Sequence, residues 1–276
     1  MTFVLAAESP ARNTGQIKLY DRAEAFAGMA AAGRLAASCL DMLVAEAREG
    51  VTTQRLDDLA RTFVFDHGAT PACVYYRGYR HTICTSLNHV VCHGIPGPRA
   101  LRDGDILNID VTVIVDGWHG DTSRMYAVGE VPRKARRLMD VTYEALLRGI
   151  AAIKPGARLG DLGHAIQSYA EGQRCSVVRE FCGHGLGRVF HDAPNILHFG
   201  KPGQGDELKP GMLFTVEPML NAGGAGVKVL GDGWTAVTKD KSLSAQYEHS
   251  VGVTDTGVEI FTKSPAGLDQ PHALAG

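Results

Sequence analysis

Two stretches of this chain repeat one another. Leu101-Arg-Asp-Gly-Asp-Ile-Leu-Asn-Ile-Asp110 and Leu208-Lys-Pro-Gly-Met-Leu-Phe-Thr-Val-Glu217 align without a gap, 107 residues apart. Each reads as Leu, a base, a turn ending in Gly, an apolar strand and then a carboxylate. Upstream, Gly50-Val51 and Gly156-Ala157 each open a helical pattern, and Leu56, Ala60 and Phe63 correspond to Leu162, Ile166 and Tyr169 at a spacing of 106. Longer helical stretches precede both copies, over about 21–49 and 133–154. Two registers that agree within one residue predict a chain folded as two related halves. The expected class is α+β, with antiparallel strands in the centre and helices outside. The period is too long and the copies too few for a solenoid. One domain is expected over residues 16–265, with halves of about 16–128 and 129–265 and loose tails at 1–15 and 266–276.

Composition narrows what such a domain can do. Lys and Arg number 28 against 30 Asp and Glu, a formal charge of −2, which provides no field for gathering nucleic acid or anionic lipid. No apolar run is expected to reach the ~20 residues that span a bilayer, and the first residues lack the basic and apolar regions of a secretory signal. The expected compartment is the cytoplasm. The six cysteines form no C-x-x-C pair and are expected to be free thiols.

The residues that carry chemistry are carboxylates in apolar surroundings. Asp110 interrupts Ile106-Leu-Asn-Ile-Asp-Val-Thr-Val-Ile-Val115, otherwise a strand covered on both faces, where a carboxylate is costly unless paired or bound to a cation. The Asp116-Gly117 that follows is a favoured two-residue hairpin turn. Such a turn sets Val115 opposite Trp118 and Thr112 opposite Asp121, leaving Asp110 and Asp121 as diagonal neighbours on one face. A hydrogen-bonded Asp near a turn is the plain alternative for either residue alone; two on one face favour an ion between them. The second copy contributes Glu217 at the place of Asp110, followed by Pro218. Glu248 alternates with apolar residues in Tyr247-Glu-His-Ser-Val-Gly-Val253, as a surface strand residue also would. His184 sits in Phe181-Cys-Gly-His-Gly-Leu-Gly187, expected to be a Gly-rich turn. Two Asp, two Glu and one His form a hard-to-borderline ligand set suited to Mn, Fe, Co or Zn, and bridging carboxylates favour a pair of ions.

Six motifs in order connect the chain with a known family. They are Val-Cys-His-Gly-Ile-Pro at 91–96, Asn-Ile-Asp-Val-Thr at 108–112, Gly-Asp-Thr-Ser-Arg-Met at 120–125, Cys-Gly-His-Gly-Leu-Gly-Arg-Val-Phe-His at 182–191, Phe-Thr-Val-Glu-Pro-Met at 214–219 and Leu-Ser-Ala-Gln-Tyr-Glu-His at 243–249. From about Asp21 to Phe261 the chain resembles the type I methionine aminopeptidases in their short bacterial form, which share the pita-bread fold with prolidase, aminopeptidase P and creatinase. The resemblance implies that Asp110, Asp121, His184, Glu217 and Glu248 hold two divalent metals, with Asp121 and Glu248 bridging. It implies hydrolysis of an N-terminal Met-Xaa bond where Xaa is small, with the free α-amine on one metal. Glu217 would shuttle the proton, His191 would stabilise the tetrahedral oxyanion and His93 would hydrogen-bond the scissile peptide group.

The resemblance further implies a slot for Met built by Cys73, Tyr76, Tyr79, Cys84, Phe190 and Trp234, whose sulfur and aromatic walls suit a thioether. Tyr76 and Tyr79 alone read equally as interior packing. Asn88, Val90 and Ser244 fall where members of the family bind a monovalent cation. The expected substrate is the N-terminal Met of nascent polypeptides, taken by a monomer that associates with ribosomes but binds neither nucleic acid nor membrane itself. Two positions depart from the family: His89 replaces a frequent acid, and Tyr75 replaces a small residue beside the slot. The rival readings are an X-Pro peptidase of the same fold, a binding module that has lost its ligands, and a two-metal phosphatase.

Overall fold

The computed structural model describes residues 15–270 except Tyr75; the tail expected at 1–15, apart from Gly15, and the departure at Tyr75 lie outside the described residues. Asp21 opens the first helix, α1 (Arg22–Leu43), its carboxylate accepting from Ala23 N at 3.0 Å and Glu24 N at 3.4 Å. Two amides that the helix cannot satisfy internally are thereby bonded. The helix ends before the expected Glu49, because residues 44–50 coil into turns that close on Gly50. By length and composition α1 is apolar enough to cross a membrane, contrary to the expectation that no segment would be. Its apolar side lies inside the fold: Met29, Ala32, Ala36, Leu40 and Leu43 are buried, and Tyr126 Oη donates to Leu40 O at 2.8 Å.

The first half continues with α2 (Thr53–Asp66), β1 (Thr70–Pro71), β2 (Ile83–Leu87), β3 (Val90–Cys92), β4 (Ile106–Val115) and β5 (Trp118–Ala127). The second half runs through α3 (Arg133–Ala151), α4 (Leu159–Gly172), β6 (Ser176–Val177), β7 (Gly183–Gly185), β8 (Asp192–Ile196), β9 (Leu213–Val216), β10 (Met219–Asn221), β11 (Val227–Val229), β12 (Ala236–Thr238), β13 (Ser244–Gln246), β14 (His249–Val253) and β15 (Val258–Ile260). In the first half β4 lies between β2 and β5; in the second β9 lies between β7 and β14, all pairings antiparallel. Two large apolar clusters lie beneath the sheets, and a smaller one joins Met29 and Trp118 of the first half to Leu213 and Phe261 of the second. Leu40, Leu56, Leu107 and Ile109 pack together beneath the first sheet, and Leu138, Leu146, Leu162, Phe214 and Val216 beneath the second.

The repeat extends to individual backbone bonds. Gly50 N donates to Leu101 O at 2.9 Å and Gly156 N to Leu208 O at 3.0 Å, while Leu101 N donates to Val51 O at 2.8 Å and Leu208 N to Ala157 O at 2.7 Å. Gly104 and Gly211 both take φ near +85, at +84 and +88, a conformation that glycine adopts without steric cost. Their amides donate to Val128 O and Val253 O at 2.9 and 3.0 Å. The pair Val128 and Val253 carries the correspondence into β5 and β14, where Ser123 then matches Glu248. These two residues bridge each other, Glu248 N donating to Ser123 O at 3.1 Å. A pseudo-twofold axis passes through that bridge and joins the two sheets in the pita-bread arrangement.

The tail expected at 266–276 is corrected for its described part. Asp41 accepts from Ser264 Oγ at 2.7 Å and Ala266 N at 3.3 Å, Leu268 N donates to Ser264 Oγ at 2.7 Å, and Leu268 O accepts from Arg124 at 3.4 Å. The buried Arg124 guanidinium pairs with Asp41 and lies 3.7 Å from Asp269. Residues 264–270 are therefore fastened across α1 and β5, because a buried guanidinium needs acceptors that its own strand cannot supply.

Candidate metal centre and its cavity

The hairpin at Asp116-Gly117 places the first two acids. Both residues take positive φ, +47 and +79, the turn that matches the right-handed twist of paired strands. The expected register results: Val115 faces Trp118 and Thr112 faces Asp121. Thr112 Oγ1 donates to Asp121 Oδ1 at 2.7 Å. Asp110 Oδ1 is buried without a hydrogen-bond partner among the described residues.

His184 is corrected from turn to strand. It is the middle residue of β7, held between β8 and β9. The flanking glycines are there for closeness: a Cβ on Gly183 would stand 2.4 Å from Thr215 O, and one on Gly185 2.0 Å from Ala193 O. The ring is oriented by Gly185 O, 3.1 Å from Nδ1. With Nδ1 as the donor, Nε2 is left as an acceptor facing Asp121 Oδ2 at 3.5 Å and Glu217 Oε1 at 3.7 Å. Glu217 follows β9, where Pro218 interrupts regular pairing. Thr215 Oγ1 donates to its Oε1 at 2.9 Å and Gln246 Nε2 to its Oε2 at 3.1 Å. Its backbone amide donates to His198 Nε2 at 3.1 Å. Glu248 enters from the bridge between the halves. One ligand atom each from Asp121, His184 and Glu248 fall within 4.8 Å of one another.

These acids oppose each other in a dry place. Burial raises the Asp110 pKa to about 7. Burial, followed by the charge of Asp110, pushes Asp121 well above its usual range. Glu217 and Glu248 are raised by burial and then by Asp121. His184 is lowered to about 4 by burial, which keeps its ring neutral and able to ligate. Among the lining residues only Arg77 carries a permanent positive charge, and it lies exposed at the mouth. Four mutually repelling carboxylates, an unpartnered buried oxygen and a neutral imidazole lone pair fit a divalent cation of hard-to-borderline character.

The five groups form the floor of a cavity of about 340 Å³. All six residues expected to form the Met slot line it, as do His93 and His191. Tyr79 and Trp234 meet edge to face at 5.0 Å, and Tyr76 stacks on His191 at 4.9 Å. Burial lowers His93, and burial followed by His184 lowers His191 to about 2, so both rings are neutral. The walls also include Cys92, Phe181, Cys182 and Met219, and the rim includes Arg77 and Glu180, none of them anticipated. Phe181 and Cys182 belong to the same Gly-rich motif as His184. The alternation of Thr215 with Glu217 on one strand face is the signal that would have flagged Thr215. Asn88 and Ser244 are brought together, Ser244 N donating to Asn88 O at 2.8 Å, while Val90 lies on β3 against Val237. These three do not line the cavity. His89 is exposed on the turn between β2 and β3.

The sequence pattern described as metallopeptidase family M24 matches residues 27–255. The methionine aminopeptidase of Rickettsia prowazekii is 58% identical over 247 residues, covering 89% of this chain and 95% of that protein. The methionine aminopeptidase of Escherichia coli K12 is 50% identical over 236 residues, covering 85% and 89%. The crystal structure of the Rickettsia prowazekii enzyme superposes with a TM-score of 0.88 at 56% identity, covering 90% of this chain and all of that one. A prolidase from Pyrococcus furiosus shares the fold at a TM-score of 0.70 and 20% identity, over 89% of this chain and 65% of that chain. With the metal-ligating residue types gathered from both halves and the pattern matched over most of its length, the chain belongs to metallopeptidase family M24.

Proposed function

We propose that this protein is a methionine aminopeptidase: it hydrolyses the bond after an N-terminal Met when the next residue is small. The observation that carries the reading is the joining of two features in one cavity, a carboxylate-imidazole floor and a slot walled by Cys73, Cys84, Tyr79 and Trp234. Sulfur and ring edges favour a thioether over an aliphatic chain of equal length. Membership of a metallopeptidase family makes the centre a divalent-metal site; on the finer reading Asp110, Asp121, His184, Glu217 and Glu248 would hold two ions, Co, Mn, Fe or Zn. When bound, such a pair supplies Lewis acidity to the attacking water and the scissile carbonyl.

The chain's own residues do the rest. The walls exclude water from the Met side chain and fix the register from the free amine. Glu217, oriented by Thr215 and Gln246, takes the proton of the water and returns it to the leaving amine. His191 faces the oxyanion and His93 the scissile peptide group, both in the neutral form that donates one N–H. The substrate is the N-terminal Met of a nascent polypeptide, met in the cytoplasm and at the ribosome by a monomer. Asn88, Val90 and Ser244 form the monovalent-cation site on the same reading.

The test is release of free Met from Met-Ala-Ser by metal-depleted protein resupplied with Mn or Co. Met release from that peptide, with Ala-Pro peptides spared, is the expected result. Cleavage before Pro without action on Met-Ala-Ser would make it an X-Pro peptidase; inertness with every divalent ion tried would leave a binding module.

A further inference from the structure

The mouth of the cavity carries an unused cation. Arg77 lies on the short turn Tyr76–Gly78 with φ at +47, exposed to solvent. Its guanidinium sits 5.4 Å from the centroid of the Tyr76 ring. No carboxylate among the described residues is ion-paired with it. The other charged rim residue, Glu180, is turned onto its own backbone, accepting from Arg179 N at 3.2 Å. Arg179 in turn is drawn away, over the Phe199 ring at 4.9 Å and toward Glu171 at 3.8 Å.

The position of Arg77 relative to the bound peptide follows from the rings beneath it. Tyr76 stacks on His191 at 4.9 Å, the residue placed above at the reacting carbonyl. An extended chain advances about 3.3 Å per residue, so the second side chain beyond the scissile bond stands about 7 Å from that carbonyl. On that reading the cavity holds Met and one small residue, and the chain then leaves past the rim, where Arg77 and Glu180 stand. Resting on the aminopeptidase reading, we infer that Arg77 is a specificity-determining residue that favours an acidic over a basic side chain at the second position beyond the scissile bond.

The test compares kcat/KM for Met-Ala-Asp-Gly and Met-Ala-Lys-Gly with Mn-loaded protein at low ionic strength. The expected preference for Asp is about threefold to fivefold, the size of an exposed ion pair. It shrinks as salt is added. Arg77→Gln brings the ratio to about one, Arg77→Glu inverts it, and Arg77→Lys retains most of it, which a purely structural turn residue would not do. Equal rates for both peptides in the unaltered protein, or a preference that persists in Arg77→Gln, overturn the assignment and leave the aminopeptidase reading intact. Failure to release Met from either peptide overturns both.

Discussion

Asp110 has to carry charge where the protein offers it no compensation. With its pKa raised to about 7 by burial, it holds a proton in the folded, metal-free chain that the unfolded chain gives up near 3.8. The folded state is then the more protonated one, so Asp110 contributes stability below 3.8 that is lost as pH rises through about 7. Asp121, Glu217 and Glu248 act in the same direction. The buried histidines oppose them mainly at lower pH: His184 and His249 are lowered to about 4 and His198 to about 3, so their opposing contribution fades as pH rises past the unfolded value of 6.5. Metal-free protein is therefore predicted to lose thermal stability from about pH 6.5 to pH 8, with Mn restoring more of it as pH rises. Asp110→Asn flattens that slope and weakens metal binding together. Calorimetric scans across the window check this, and a rising or flat profile in the metal-free protein contradicts it. The five residues at the cavity floor were legible because each is anomalous in its local pattern, a charge among apolar neighbours or an imidazole between glycines. Arg77 and Gln246 were not, since polar residues in a turn or strand carry no such anomaly until a neighbour is seen; Thr215 could be found only through its alternation with Glu217.

Hydrogen-bond register decided which elements could be foreseen. The Asp-Gly hairpin specifies its own pairing, so Thr112 opposite Asp121 followed from counting. The strand β7 has three residues and no alternation to count; its glycines read as a turn because their partners, Thr215 and Ala193, are distant or irregular in sequence. Such close strand approach leaves no space for a methyl group. Gly185→Ala is predicted to cost about 1–3 kcal/mol through overpacking and to displace His184, measured as a lower urea midpoint together with weaker metal binding. A variant of unaltered midpoint and affinity would show that the sheet yields at that point. The early end of α1 belongs to the same scale: apolar spacing continues past Leu43, but the turns leading to Gly50 divert the chain.

Contacts between remote segments set the shape of the whole molecule, and these were the least visible in advance. Residues 266–270 looked unattached because their partners, Asp41 and Arg124, lie more than a hundred positions earlier. Asp41→Asn keeps the side-chain shape but leaves the buried Arg124 with Asp269, at 3.7 Å, as its one anionic partner among the described residues. A loss of about 3 kcal/mol is predicted, read from chemical denaturation; a change no larger than that of a surface substitution would mean that water or Asp269 replaces the pairing. The two-half plan, by contrast, was visible as a spaced repeat, and bonds such as Gly50 to Leu101 and Gly156 to Leu208 reproduce it. At the axis itself the copies differ, Ser123 on one side and Glu248 on the other. Perfect copying would set like charges face to face at the crossing point, where directly opposed anions destabilise a pair of strands. Departure from symmetry at this one locus is thus demanded by the chemistry: a faithful twin could fold, but it would crowd its own centre with one acid too many.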